Sequence, residues 1–185
     1  MFARTKRLLL RPGWIEDAPA LARTIGEERI VRNLSSVPWP YGLADAEAFL
    51  AKDRDTPLPT FLIVRRTLGA PELIGALGFR ATPPGEIEFG YWIASDCWNR
   101  GYATEAGRAA LALARDSLRL CRIVSGHFLD NPASGRVLEK LGFAPSGEVT
   151  PCPSRARGED VPVRRFALDL RGVGCGCHAP EQIAA

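Results

Sequence analysis

Three apolar runs in the middle of the chain, set close together and followed by a long Ala- and Leu-rich segment, restrict the fold more than anything else in these 185 residues. They are Thr60–Arg65 (TFLIVR), Leu73–Phe79 (LIGALGF) and Glu86–Ala94 (EIEFGYWIA). Runs of β-branched and aromatic residues bounded by turn formers read as strands. Gly69 and Pro71 separate the first two, and Pro83-Pro84-Gly85 separates the second from the third. Connections this short join antiparallel neighbours, so the three form a meander. Alternation in the third puts Ile87, Phe89, Tyr91 and Ile93 on one face and Glu86, Glu88, Gly90 and Trp92 on the other.

After the meander the period changes. Gly101 to about Leu118 reads as a helix and Arg122–Phe128 as a strand, a strand–helix–strand step that makes the two strands parallel. Asn131–Leu141 is a punctuated helix: Asn131 at the N-cap, Pro132 at the first helical position, Gly142 just past the end and Phe143 as the hydrophobic partner of that stop. Val161–Leu170 reads as a final strand. Upstream, Arg7–Arg11 is a strand stopped by Pro12, and Asp17 is placed to cap a helix over Ala18–Thr24. A short helix near Glu27–Asn33, a Pro- and Gly-containing loop over Leu34–Gly42 and a helix over Asp45–Lys52 follow. The order β, helices, βββ, α, β, α, ββ implies an α/β fold: a mixed, mostly antiparallel sheet flanked by helices. Residues 1–171 read as one domain and 172–185 as a flexible C-terminal tail.

Composition narrows the function classes. With 46% hydrophobic and 24% charged residues the chain is globular rather than disordered or fibrous. No apolar run approaches the ~20 residues of a membrane span, and Leu8–Leu10 is too short for a signal-peptide apolar region. A cytoplasmic protein without membrane association is expected, as a monomer or homodimer. Net charge is +3, and of 24 basic residues only Lys6, Lys52 and Lys140 are lysines. Arginines interspersed with acids make no basic stripe, so no nucleic-acid partner is expected. Five cysteines without regular spacing argue against a disulfide framework. Cys175-Gly176-Cys177-His178 lacks a second ligand pair at zinc spacing, so no metal is expected.

Two segments carry the chemistry. Trp98–Ala106 (WNRGYATEA) joins a strand to a helix through small residues. Such a turn exposes backbone N–H groups at the positive end of the helix dipole, which together favour an anion. Gly101 permits close approach, Ala103 keeps the next step narrow, Thr104 can donate a hydroxyl bond and Arg100 adds a full charge. The second segment is Asp130–Phe143 (DNPASGRVLEKLGF), where Asn131 and Ser134 share a face at a helix N-terminus.

Together with RLLLRP at Arg7–Pro12 and IEFGYWIASDCWNRGYATEA at Ile87–Ala106, this segment resembles the GNAT superfamily of acyl-CoA-dependent N-acyltransferases. More narrowly, the three segments are similar to the RimJ/RimL-like, ribosomal-protein-alanine N-acetyltransferase group, over roughly residues 4–170. The resemblance implies a GNAT-like fold whose central sheet splays at the cofactor site, and acetyl-CoA as co-substrate. It implies that the Arg100–Thr104 loop, including Gly101, Tyr102 and Ala103, binds the pyrophosphate through backbone N–H groups. The backbone of Trp92, Ile93 and Ala94 pairs with the pantetheine arm, Asn131 hydrogen-bonds that arm, and Ser134 lies near the sulfur. Two positions depart from the family pattern: Trp98 stands where the phosphate loop usually begins with Gln or Arg, and Leu138 where many members have a Tyr general acid. Ser134 or water is then expected to assist the thiolate.

Acetyl transfer to an amine needs a proton acceptor and a donor that polarises the thioester carbonyl. Glu88 is the expected base, with a substrate-binding role as the other reading, and His127 is a second candidate base. Glu86, nearer the turn, reads as solvated. Trp39 and Tyr41 in Leu34–Gly42, and Arg155, Arg157, Glu159 and Asp160 in the irregular stretch Val149–Asp160, are the expected acceptor-contacting segments, since loops carry recognition. The function expected is N-acetyl transfer from acetyl-CoA to a primary amine, a protein N-terminus or a small molecule, by direct attack. The alternative is a catalytically silent acyl-CoA-binding or sensing module.

Overall fold

The computed structural model describes residues 1–52, 58–83 and 85–171. The Cys175–His178 run and the boundary at residue 172 lie outside the described residues. One eight-stranded sheet organises the chain. Its strands are β1 (Ala3–Arg4), β2 (Leu8–Arg11), β3 (Thr60–Arg65), β4 (Glu72–Thr82), β5 (Glu86–Ile93), β6 (Arg122–Phe128), β7 (Ala144–Ser154) and β8 (Glu159–Asp169), in the spatial order β1-β2-β3-β4-β5-β6-β8-β7. The described pairings are antiparallel except β5 with β6, which is parallel. The meander and the single parallel step are thus as the sequence implies. The helices are α1 (Ala18–Ile25), α2 (Glu28–Val31), α3 (Leu43–Leu50), α4 (Tyr102–Asp116) and α5 (Pro132–Lys140).

The period-2 alternation sorts the sheet into two packed faces. Leu8, Leu10, Phe61, Ile63, Leu77, Phe79, Phe89 and Ile93 form one core with Ala106, Ala110 and Ala114 of α4 and Leu138 of α5. Leu62 and Ala76 on the opposite face pack with Ala18 and Leu21 of α1 and Ala46 and Leu50 of α3, and Trp92 leans on that cluster. The stop after α5 is built as its residues imply. Gly142 takes φ +93°, the Phe143 N–H reaches back to the Leu138 carbonyl at 3.0 Å, and the buried Phe143 ring stacks on Phe89 at 6.0 Å.

Two local expectations need correction. Asp17 does not cap α1 with its side chain. Its carboxylate accepts from the Trp14 N–H at 2.8 Å and grips both Arg11 nitrogens at 2.7 Å, closing the turn before the helix. Val149–Asp160 is not irregular: Val149–Ser154 belongs to β7, paired with β8 from Val149↔Arg164 to Ser154↔Glu159. Pro151 and Pro153 obscure this strand in the sequence, and both sit where a missing N–H is tolerated, on a strand at the sheet edge.

Candidate active site

The site starts where two strands part. Parallel β5 and β6 are in register at Glu88↔Val124, and the buried Ser125 hydroxyl still reaches the Phe89 carbonyl at 2.8 Å. Beyond that point β5 stays with β4 as far as Gly75↔Ile93, while β6 follows β8 to Phe128↔Val163. A fork opens between them, with the first turns of α4 and α5 at its mouth. Strand alternation sets which backbone groups face it. The Ala94 N–H is bonded to the Ile74 carbonyl at 2.8 Å, so residues 90, 92 and 94 direct their backbone groups to β4. Residues 89, 91 and 93 direct theirs to the fork. At its far end the Trp98 indole N–H caps the Ile93 carbonyl at 2.7 Å. Of the expected backbone donors Trp92, Ile93 and Ala94, only Ile93 therefore faces the gap, and Tyr91 joins it.

The start of α4 is shaped by backbone conformation. Asn99 and Gly101 both take left-handed φ values, +58° and +77°, and turn the chain so that α4 begins at Tyr102 aimed into the fork. The N–H groups of Tyr102, Ala103 and Thr104 belong to the first helical turn and have no intrahelical acceptor. A three-part anchor fixes this turn to the N-terminal strands. Glu105 accepts from the Thr5 hydroxyl at 2.6 Å, the Arg7 backbone N–H at 3.0 Å and Arg7 Nε at 2.6 Å. Arg7 also donates to the Arg100 carbonyl at 3.0 Å and lies 4.3 Å over the buried Tyr102 ring. Burial pushes the Glu105 carboxyl up, but the Thr5 hydroxyl and the Arg7 groups outweigh it and hold it below the usual carboxylate range.

A cavity of about 730 Å³ lies against this turn, lined by Gly101, Ala103, Thr104 and Asn131 among others. Arg29, Arg32, Arg136 and Lys140 also line it, against the acidic Asp130, which is already bound by Arg157 at 2.8 Å. The cavity is therefore cationic. Arg100 is exposed and does not line it; the positive side chains come from α2, its following turn and α5. Arg136 and Lys140 stand four apart on one helix face, a spacing readable in the sequence; the approach of α2 to this site is not.

On the other side of the fork lies a second cavity of about 500 Å³, lined by Tyr41, Phe49, Arg80, Glu88, His127 and Arg155 among others. Tyr41 is thus brought in, its phenol pushed up to about 12 by burial and by the Asp45 charge; Trp39 is exposed and does not line the cavity. Glu88 faces Arg80 directly across the β4–β5 pair and is gripped there by the Arg80 guanidinium, with Nε at 2.6 Å. Its other oxygen lies 3.5 Å from Arg165. His127 is a packed strand residue: Nδ1 meets the Phe128 carbonyl at 2.8 Å, and Nε2 would lie 2.6 Å from a Cβ on Gly135.

The two cavities share a wall made of Tyr91, Trp92, Asn131 and Ser134, with Asn33 and Leu34 at the rim. Asn131 caps α5, accepting the Ser134 N–H at 3.4 Å. Ser134 Oγ lies 2.7 Å from the Tyr91 hydroxyl. Leu138, one turn further on, is fully buried in the core and has no proton to give. Tyr91 escapes sequence reasoning because alternation assigns it to the core face with Phe89; only the docking of α5 shows that its hydroxyl reaches past the core.

A profile described as "Acetyltransferase (GNAT) domain" matches residues 7–144, and the chain belongs to this acetyltransferase family. A protein of Bacillus subtilis (strain 168) named "Uncharacterized N-acetyltransferase YoaA" is 31% identical over 150 residues, covering 77% of this chain and 82% of that protein. The crystal structure of a GNAT-family acetyltransferase from Bacillus anthracis superposes with a TM-score of 0.77 at 24% identity, over 92% of this chain and 99% of that one. The microcin C7 self-immunity acetyltransferase MccE, crystallised with acetyl-CoA and AMP, gives 0.72 at 17% identity over 89% and 93%. Both structural likenesses carry the fold. Among the described residues no helix is long and apolar enough to cross a membrane, and no group of His, Cys, Asp and Glu is placed to hold a metal ion.

Proposed function

We propose that this chain is an acetyl-CoA-dependent N-acetyltransferase that moves the acetyl group to a primary amine, of a protein N-terminus or a small molecule, by direct attack. The observation that carries the reading is the shared wall. Direct attack needs two substrates to meet without a covalent enzyme intermediate, and here a cationic cavity and a second cavity meet at Tyr91, Trp92, Asn131 and Ser134.

The residues present fit acetyl-CoA. Gly101, left-handed and without a side chain, leaves the first-turn amides of α4 open to a phosphate. Arg29, Arg32, Arg136 and Lys140 supply full charges beside them. With the Ile93 carbonyl taken by the Trp98 indole N–H, the Ile93 N–H and the fork-facing groups of Tyr91 offer a strand edge to the amide-bearing pantetheine arm, and Asn131 stands across the gap. Bound there, acetyl-CoA supplies a thioester carbon open to an amine. The Tyr91 N–H faces the fork and would be the donor that polarises the thioester carbonyl. Ser134 would give the leaving sulfur its proton. Glu88, fixed by Arg80 and Arg165, takes the proton of the amine, directly or through one water. The RimJ/RimL-like assignment within the family rests on the segments Arg7–Pro12, Ile87–Ala106 and Asp130–Phe143 together.

A thiol-release assay with acetyl-CoA and a panel of amines tests this. Amine-dependent release of CoA is expected with at least one member. Stabilisation by acetyl-CoA with no release above background would instead make the chain the silent acyl-CoA-binding module, the reading that buried Leu138 favours.

A further inference from the structure

The hydroxyl pair on the shared wall extends the proposed reaction, and the inference rests on that reading. We propose that Tyr91 is a positioning residue: by donating its phenolic hydrogen to Ser134 Oγ it turns the hydrogen of Ser134 toward the leaving sulfur. Four observations support it. Tyr91 and Ser134 belong to different elements, β5 and α5, forty-three residues apart, so the contact is a product of the fold rather than of local sequence. The phenolic oxygen lies 2.7 Å from Ser134 Oγ and 3.1 Å from the Ser134 carbonyl. The hydroxyl is the closer of the two acceptors. Both residues line both cavities, so the pair sits where the acyl donor and the amine must meet.

Either hydroxyl can donate across the 2.7 Å contact, and the phenolic hydrogen is assigned to it because Ser134 Oγ is nearer than the Ser134 carbonyl at 3.1 Å. Burial pushes the Tyr91 phenol up to about 12, with the Ser134 bond acting against that shift, so the phenol has a hydrogen to give across the neutral range. A hydroxyl that accepts one bond still has its own hydrogen to place, and a serine rotor is free unless something fixes it. The Tyr91 bond fixes it. The main chain is fixed too, since the Ser134 N–H is held by the Asn131 cap at 3.4 Å. In the transfer the amine nitrogen forms the new C–N bond, the C–S bond breaks and its electron pair leaves with sulfur. Ser134 gives its hydroxyl proton to that sulfur, and the proton that Glu88 takes from the amine returns by way of water to restore the Ser134 hydroxyl. Tyr91 gains and loses nothing.

The test is a double-mutant cycle on steady-state turnover with Tyr91→Phe, Ser134→Ala and the double variant. Tyr91→Phe keeps the ring and its packing. The expected result is a kcat about 10-fold lower for Tyr91→Phe and about 100-fold lower for Ser134→Ala, the lower end of what a positioned proton donor contributes. The KM for acetyl-CoA stays within about threefold, and the double variant is no slower than Ser134→Ala alone. A Tyr91→Phe enzyme with wild-type kcat overturns the inference, as does a Tyr91→Phe effect that multiplies undiminished in the Ser134→Ala background. Both outcomes leave the acetyltransferase reading standing. A wild-type chain that releases no CoA with any amine overturns the two together.

Discussion

Glu88 is the residue on which proton removal from the acceptor depends in this account. Its position is set twice over: by the β4–β5 register that places it opposite Arg80, and by Arg165 reaching across from β8. Replacing it by Gln keeps the shape and the cross-strand neighbours but removes the proton acceptor. Glu88→Gln is expected to lower kcat about 100-fold while leaving the KM for acetyl-CoA nearly unchanged. A variant that turns over like wild type at every pH would remove Glu88 from the reaction. At this scale the sequence is partly transparent. Glu88, Gly101, Asn131 and Ser134 are legible because each sits in a motif or at an alternation position that assigns it a direction. Tyr91, Arg29 and Arg32 are not, because their roles arise from contacts between segments far apart in the chain. Trp39 illustrates the converse: an aromatic residue in a Pro-flanked loop reads as a substrate contact, yet the loop turns it outward.

The elements that matter most are β5 and α4, and the joint between them is the most sensitive part of the fold. Gly101 occupies a left-handed conformation that costs other residues roughly 1–2 kcal/mol, and a Cβ there would meet only Arg7, at 3.6 Å. Gly101→Val is therefore expected to fold with a modest loss of stability, and to lose acetyl-CoA-dependent thermal stabilisation because its side chain covers the first-turn amides. In the wild type that stabilisation is expected to be about 2.7 kcal/mol at a hundredfold excess over Kd. For a domain of this size that corresponds to roughly 5–10 °C. An unchanged shift in Gly101→Val would refute the phosphate-loop assignment.

The Glu105 anchor gives a second test of the same joint, with a defined pH dependence. The carboxyl is held below its ordinary range in the folded protein, so its contribution to stability is present above the unfolded pKa and is lost as pH falls through the folded one. Glu105→Gln is expected to cost about 1 kcal/mol at neutral pH, since Arg7 is partly solvent-exposed. The gap from wild type closes as the pH is lowered through the acid range. Thermal denaturation of the two proteins across pH measures it, and a gap that persists in strong acid would contradict the charged anchor. Element existence was readable from alternation and from Pro and Gly punctuation. Strands β1 and β7 are the exceptions: β1 is only two residues long, and Pro151 and Pro153 hide an edge strand from any propensity argument.

For the whole molecule, the splayed sheet converts an ordinary mixed α/β topology into a two-sided site. The one parallel pairing among the described residues, β5 with β6, is where the sheet forks, and the two helix N-termini meet there because α4 starts after the C-terminal end of β5 and α5 after the C-terminal end of β6. Two cavities thus lie on either side of one wall, an arrangement that under the proposed function brings acyl donor and amine together for direct transfer. The overall charge of +3 has little part in this; the cations the proposed function uses are Arg29, Arg32, Arg136 and Lys140, which line one cavity. The measurement that bears most directly on the account is the stoichiometry of transfer: CoA released and acetylated amine formed, the latter counted by mass spectrometry. Wild-type protein and Gly101→Val are compared, each with acetyl-CoA and an amine identified in the panel. Equal amounts of free CoA and singly acetylated amine are expected from the wild type, and neither above background from the variant. CoA released without acetylated amine, or equal product from both proteins, would contradict it.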